Sequence, residues 1–158
     1  PRAAIVSGKA LAAGIRSITQ AVIVLVLAVL LGVHVVLDPL SIMTVITVVL
    51  LGAAIFATLS LIIACMVRTR ERFMGIGQMV TMPLFFASNA IYPISMMPEW
   101  LQVISYGNPL TYVVDALRGT MVVGGVSEFG IAFDLALLAA MTVSLILLAG
   151  RLYPRVAR

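Results

Sequence analysis

The sequence predicts an all-α integral membrane protein with four transmembrane helices, and three observations support this fold class. Apolar residues make up 63% of the 158 residues and charged residues only 10%, whereas soluble domains carry about 25% charged residues. The mean hydropathy is +1.20. The basic residues occur in three small groups, each beside an apolar run long enough to cross a bilayer. No repeat or linker divides the sequence, so we expect a single transmembrane domain over residues 1–158.

The first segment, residues 1–17, predicts a short helix at the membrane surface. Arg2, Lys9 and Arg16 lie there among alanine and aliphatic residues, which is the pattern of an interfacial helix that leads into a span. Basic groups beside a span prefer the cytoplasmic side. We therefore expect this segment to be cytoplasmic.

Two long apolar runs predict the first two spans. Residues 18–37 contain no acid and no base except His34, and a run of this length can cross the bilayer. Residues 38–39, Asp-Pro, then predict a tight turn. The second run, residues 42–67, ends at an arginine-rich group in residues 68–72. This group places the end of the second span in the cytoplasm.

A third span is predicted over residues 73–92, where polar residues and Pro83 interrupt the apolar run. A proline inside a helix removes one backbone hydrogen bond and clashes with the preceding turn, so we expect a kink. Polar side chains in hydrocarbon need a partner or water. They could line a substrate path, or they could only bond neighbouring helices and so pack the bundle. The candidate path residues are Gln78, Thr81, Pro83, Ser88 and Asn89.

An external segment is predicted between the third and fourth spans, with helices over residues 98–124. Trp100 and Tyr106 are suited to anchor its first helix at the interface. Asn108 is a good N-cap and Pro109 fits the first helical position, so a second helix should start there.

The second external helix shows an amphipathic pattern. Its apolar residues recur at spacings of three and four, whereas Thr111, Asp115 and Arg118 fall on another face. From residue 109 to 123 it would be about 22 Å long, which is too short to span. Asp115 and Arg118 are three residues apart and could pair at the surface. We therefore expect this helix to lie on the outer leaflet or to dip into it.

The last span is predicted over residues 131–150, with Asp134 near its entrance and basic residues beyond its end. Of the 10 lysine and arginine residues in the chain, Arg118 alone falls on the external side of this arrangement. This bias predicts that both termini of the segment are cytoplasmic. It also explains the net charge of +4 better than binding to nucleic acid does.

The segment Asn108 to Gly119, NPLTYVVDALRG, resembles the signature of permease subunits of the type-2 ABC exporters. This family includes multidrug, daunorubicin-resistance and polysaccharide exporters. The resemblance continues upstream through residues 83–101, although Asn89 stands where many members have a glycine. It implies a six-span permease of which this chain holds the last four spans. Because the sequence begins with Pro1 and not methionine, we expect it to be a fragment.

The resemblance also implies a mechanism and its partners. A separate ABC ATP-binding subunit would bind ATP, and two permease copies, identical or related, would form the path. Residues 1–17 resemble the family's coupling helix, so Arg2, Ser7 and Lys9 could contact the ATPase subunit, or they could simply anchor the topology. The signature helix would form an external gate. Its residues are Asn108, Pro109, Tyr112, Asp115 and Arg118.

The sequence contains no catalytic, cofactor-binding or metal-ligating motif, which argues against an enzyme. The pair Gly8-Lys9 lacks the earlier glycine and the following serine or threonine of a P-loop. Because the predicted spans hold no fixed charge and few aromatics, an apolar or amphipathic substrate, such as a drug or lipid, is favoured over a sugar polymer. The predicted location is the cell (plasma or inner) membrane. The alternatives are an ion-coupled secondary transporter and a non-transporting scaffold subunit.

Overall fold

The computed structural model describes the backbone of residues 2–67 and 69–156, and the side chains of residues 8, 11–67 and 69–151. Within these residues the chain is helical and contains no strand, which confirms the predicted all-α class. Its helices, in chain order, are α1 (Arg2–Leu30), α2 (Pro39–Met66), α3 (Arg70–Phe86), a 3₁₀ turn (Ile94–Met96), α4 (Glu99–Tyr106), α5 (Pro109–Met121) and α6 (Ile131–Val156).

Three of the described helices are long and apolar enough to cross a membrane. The qualifying segments are Leu11–Leu30, Pro39–Met66 and Ile131–Arg151. Helix α3, in the place of the predicted third span, has only 17 residues, or about 26 Å at ~1.5 Å per residue. It ends three residues after Pro83 and does not continue to residue 92. A fourth span through this region stays a prediction.

Helix α1 joins two predicted elements into one. The surface helix of residues 1–17 and the following span form a single helix of 29 residues. This helix ends at Leu30, before the predicted end of the span at residue 37. Gly32 has a φ of 83°, a conformation that glycine adopts without strain. Beyond it, the backbone N–H of Val36 donates to the carbonyl of Met121 at 2.8 Å.

Helix α2 begins at the predicted Asp-Pro turn. The Asp38 carboxylate accepts a hydrogen bond from the backbone N–H of Ser41 at 3.1 Å, and Pro39 occupies the first helical turn. Hydrogen bonding by Ser41, first through its side chain and then through its backbone N–H, lowers the pKa of the exposed Asp38 carboxyl. Both features are typical of a helix start, and they extend α2 three residues before the predicted run.

The core is formed where α2, α5 and α6 meet. Val48 and Ile55 of α2 pack with Tyr112 and Ala116 of α5 and with Leu138 of α6, and all five are buried. The α2 residues lie about 14 to 24 Å along the helix from Pro39. The short helix α5 therefore packs against the middle turns of α2 and against α6 near Leu138, about 10 Å from the start of α6.

Candidate functional site

Helix α5 buries the face that carries its polar residues. The buried residues of this helix are Thr111, Tyr112, Asp115, Ala116 and Thr120, whereas its aliphatic face is only partly buried. The predicted start of the helix at Asn108 and Pro109 is confirmed. The expectation that its polar face would meet the surface is wrong, because in an apolar environment polar groups gain most by facing partners inside the protein.

Asp115 is the most highly bonded side chain on this face. It is fully buried, and its carboxylate accepts from the Ser127 hydroxyl at 2.7 Å and from the backbone N–H groups of Glu128 and Phe129, both at 3.1 Å. The amide nitrogen of Asn89 approaches it at 3.4 Å. Four donors thus satisfy a charge that would be costly to bury alone.

Arg118 does not pair with Asp115, contrary to the expectation from their spacing. Its guanidinium donates to the backbone carbonyl of Asn89 at 2.6 Å, and no ion pair joins it to Asp115 in the described part of the chain. The Asp115 side chain is turned toward residues 127–129, before α6, and already has its donors there. Arg118 instead ties α5 to the segment that follows α3.

Asp134 completes this site, and the sequence interpretation did not select it. It lies in the first turn of α6, is fully buried, and places Oδ2 3.3 Å from the Ser127 hydroxyl. Its other carboxylate oxygen has no partner. A single acid inside an otherwise apolar span was the available signal. We call Asn89, Asp115, Ser127 and Asp134 the Asp115 cluster.

Asn108 joins two helices, which is more than the predicted cap. Its side-chain oxygen accepts from the backbone N–H of Leu110 at 3.0 Å, as an N-cap does. Its amide nitrogen donates to the carbonyl of Leu84 at 2.6 Å. That carbonyl lies in the last turn of α3, where no helical partner follows. One side chain therefore caps the start of α5 and the end of α3.

Tyr112 fastens α5 to α4 and to the start of α6. Its hydroxyl donates to the carbonyl of Tyr106 at 2.6 Å, and its ring lies 5.2 Å from that of Phe129 and 6.2 Å from that of Phe133, between centroids. Burial raises the pKa of the Tyr112 phenol above its usual range. The Tyr112 phenol therefore stays neutral, and its hydrogen bond holds α5 to the end of α4.

The predicted path residues separate into two groups. Ser88 and Asn89 are fully buried after the end of α3, so they bond within the chain. Gln78, Thr81 and Pro83 are exposed along α3, where the Thr81 hydroxyl bonds only the backbone of its own helix. Among the described helices α3 makes its principal contacts with α2 alone. An outward, partly polar face of α3 therefore remains uncovered.

A second open feature is an apolar cavity of about 590 Å³ between α1, α2 and α5. Its lining includes Val24, Val45 and Val114, and the polar residues Gln20 and Arg118 also border it. Volumes of 300 to 1,000 Å³ are typical of pockets for small organic ligands. The arrangement can accept an apolar molecule, with one cation at its wall.

The side chains of the predicted coupling residues Arg2, Ser7 and Lys9 lie outside those that the structure describes. Within the described residues no three acidic, histidine or cysteine side chains form a group that could hold a metal ion.

Comparison with known proteins decides the family. The model of the ABC-2 type transporter family matches residues 1–122, which is most of the chain. The chain belongs to the ABC-2 type transporter family. This confirms the resemblance found in the signature helix. The family and the three candidate spans support a multi-pass membrane protein.

Individual relatives agree with this assignment. Transport permease ycf38 of Cyanophora paradoxa is 38% identical over 61 residues, which are 39% of this chain and 21% of that protein. Nodulation protein J of Bradyrhizobium diazoefficiens is 28% identical over 85 residues, or 54% of this chain and 32% of that protein. These matches cover a third or less of each relative. No solved structure matches the chain.

Proposed function

We propose that this ABC-2 permease is the membrane-spanning subunit of an ATP-driven exporter that moves an apolar or amphipathic substrate, drug-like or lipid-like, out of the cell. The ATPase subunit would bind and hydrolyse ATP, and this chain would hold no cofactor. The observation that carries the proposal is the uncovered polar face of α3. Gln78 on this face is exposed, and a polar side chain at membrane depth requires water or a protein partner.

A second permease copy is the partner that we propose for this face. Two copies, or two related chains, would enclose a water-containing path between their α3 helices. Met74 and Met82 flank the polar residues on α3 and are 65% and 52% exposed. Flexible methionine side chains adapt to apolar ligands of different shape, which suits a path for apolar or amphipathic molecules.

Helix α5 would act as the external gate of this path. Two hydrogen bonds join it to the end of α3, one from Asn108 to Leu84 and one from Arg118 to Asn89. A tilt of α3 would therefore move α5. The hydrogen bonds of Asp115 with residues 127–129 hold α5 to the segment before α6. Helix α5 would therefore turn between α3, which moves, and α6, which stays in place.

Helix α1 would transmit the movement of the ATPase subunit. The segment that resembles the family's coupling helix, residues 2–13, is continuous with the span and forms one rod of about 43 Å. With both termini in the cytoplasm of a cell-membrane protein, as the basic residues predict, a push at Arg2 and Lys9 would tilt the whole rod. A rigid helix transmits such a displacement without a hinge.

The apolar character of the substrate is supported by the cavity between α1, α2 and α5. Its lining is almost entirely aliphatic, and a sugar polymer would leave its hydroxyl groups without partners there.

The test is to capture the full-length protein from its own membranes in mild detergent and to identify the chains that accompany it. We expect a stoichiometric chain with a P-loop. The double variant Arg2→Glu/Lys9→Glu should lose that chain, whereas the matched control Arg70→Glu/Arg72→Glu should retain it. Reproducible absence of a P-loop chain from the folded wild-type protein would contradict ATP-driven export and favour ion-coupled transport or a scaffold role.

A further inference from the structure

We propose that Asp134 is a proton-binding site: in the folded protein it carries a proton and donates it to the Ser127 hydroxyl. The resulting chain of hydrogen bonds runs from Asp134 through Ser127 to Asp115. It holds residues 122–130, the segment before α6, against helix α5. This inference concerns the protein's resting fold and does not depend on the proposed substrate or on ATP.

The hydrogen count at Ser127 is the first step. Its oxygen lies 2.7 Å from Asp115 Oδ2 and 3.3 Å from Asp134 Oδ2, and it accepts the Gly130 N–H at 2.8 Å. A serine hydroxyl has one hydrogen and two lone pairs. The hydrogen goes to Asp115, where the contact is shorter. No hydrogen then lies between the Ser127 oxygen and Asp134 Oδ2, and both atoms are acceptors. A hydrogen bond forms between them only if Asp134 is protonated and donates to the remaining lone pair of the Ser127 oxygen.

The surroundings of Asp134 lack any other compensation for a negative charge. Asp134 is fully buried, and its Oδ1 has no hydrogen-bond partner. A charged carboxylate removed from water without donors is strongly disfavoured, and the adjacent carboxylate of Asp115 disfavours it further. A bound proton removes both penalties.

Asn89 gives an independent sign that the Asp115 cluster is short of hydrogens. It is fully buried, and its side-chain nitrogen donates to Asp115. Its side-chain oxygen, Oδ1, has no hydrogen-bond partner. The cluster therefore presents more acceptors than donors. Adding one hydrogen at Asp134 reduces this deficit, and two neighbouring carboxyl groups that share a site commonly bind one proton between them.

No neighbouring group replaces that proton. On α5, Arg118 donates to the Asn89 carbonyl and forms no ion pair with either aspartate in the described part of the chain, and Tyr112 donates to Tyr106. Glu128, in the segment before α6, is an exposed acid. None of the buried residues of α2 can ionise; they are Val48, Gly52, Ile55, Thr58 and Leu61.

The amino end of α6 attracts negative charge, but it does not satisfy Asp134. No hydrogen bond from a backbone N–H of this first turn reaches the carboxylate among those of the described residues. Loss of the proton from Asp134 would leave the adjacent carboxylates of Asp115 and Asp134 with only the Ser127 hydroxyl hydrogen between them. Since Asp115 holds the N–H groups of Glu128 and Phe129, repulsion between the aspartates would release residues 122–130.

Attachment of residues 122–130 to α5 depends on pH because Asp134 binds a proton. Asp134 holds this proton while the segment is attached and gives it up at neutral pH once the segment is released. The attachment therefore weakens as the pH rises. Asp134→Asn keeps a neutral side chain of the same shape with a hydrogen donor. This variant should mimic the protonated state at every pH.

The first measurement is infrared spectroscopy of the full-length protein in lipid, with its partners present. We expect the carbonyl band of a protonated carboxylic acid in the wild type near neutral pH and its absence in Asp134→Asn. A wild type without this band, or a variant that retains it, would overturn the assignment of the proton to Asp134.

The second measurement is hydrogen exchange of a peptide covering residues 122–130, compared between wild type and Asp134→Asn at the same pH. The chemical exchange rate is then nearly the same in both proteins. We expect equal protection at acidic pH and, as the pH rises, a loss of protection in the wild type alone, by at most about tenfold per pH unit. Parallel behaviour of the two proteins at all pH values would contradict the proposal.

Discussion

At the scale of single residues, burial of Asp115 is explained by what surrounds it. An aspartate on a short, partly apolar helix is expected at a surface, yet four donors from the Asn89 side chain and residues 127–129 satisfy it inside the protein. Each donor would itself be unpaired without the carboxylate. Asp115 therefore organises the segment before α6 as well as its own helix.

Replacing Asp115 with alanine should destabilise the protein strongly. The change leaves the backbone N–H groups of Glu128 and Phe129 without their acceptor, and two part-buried donors left unpaired cost on the order of 2 kcal/mol. Thermal unfolding of the purified protein in lipid would measure this. The matched control is Asp38→Ala, which removes an exposed N-cap and should cause a smaller loss. Equal losses in the two variants would contradict a special role for the buried position.

The two bonds of Asn108 can be separated by substitution. Asn108→Asp keeps the acceptor for the Leu110 N–H but replaces the donor to Leu84 with a second oxygen, which faces a carbonyl. Asn108→Ser also keeps a capping acceptor and adds no charge. We expect Asn108→Asp to be less stable than Asn108→Ser by on the order of 1–2 kcal/mol. A more stable aspartate variant would show that capping of α5 alone matters.

At the scale of helices, the close approach of α5 to α2 depends on a glycine. A Cβ atom on Gly52 would lie 3.2 Å from the Val113 side chain, closer than packed carbon atoms prefer. Small residues let helices approach closely in membranes, and here this approach places α5 beside the middle of α2.

Gly52→Ala should therefore separate α2 and α5 slightly and reduce stability, by on the order of 1–2 kcal/mol. The double variant Gly52→Ala/Val113→Ala should recover part of this loss, because the shortened side chain makes room for the new methyl group. Thermal unfolding of the single and double variants gives the coupling between the two sites. Simple additivity would mean that these side chains do not meet.

At the scale of the whole molecule, the exposed faces of α1 and α3 differ in character. Helix α1 is exposed through aliphatic residues such as Ile23, which is 55% exposed. Helix α3 is exposed through a mixed face that includes Gln78. An aliphatic face is compatible with lipid, whereas an exposed glutamine at membrane depth requires water or a partner.

Cysteine accessibility tests this division in a Cys65→Ser background of the assembled transporter. Gln78→Cys should react with a water-soluble thiol reagent, because its face borders the proposed path, whereas Ile23→Cys, outside the cavity, should react slowly in contact with lipid. Transport substrate should slow the reaction at position 78. Equal reactivity at the two positions would contradict a water-containing path along α3.

The gate assignment gives a prediction at the same scale. Asp115→Asn keeps the size of the side chain but replaces one acceptor oxygen with an NH2 group, which weakens the hydrogen bonds from its four donors. Helix α5 should then be held less firmly to α6. We expect impaired export with normal membrane insertion, measured by accumulation of an apolar drug in cells. Asp38→Asn serves as the control with normal export. Normal export by both variants would show that α5 is not the gate.

The sequence by itself determined the all-α membrane class, the start of α5 at Asn108 and Pro109, and the family, because hydropathy and capping are local properties. Local pattern could not decide which face of α5 is buried, since Arg118 and Asp115 find partners far apart in the chain. Nor could it place Ser127 between Asp115 and Asp134. Only tertiary structure brings residues 89, 115, 127 and 134 together, because their contacts depend on how α5 packs between α2 and α6.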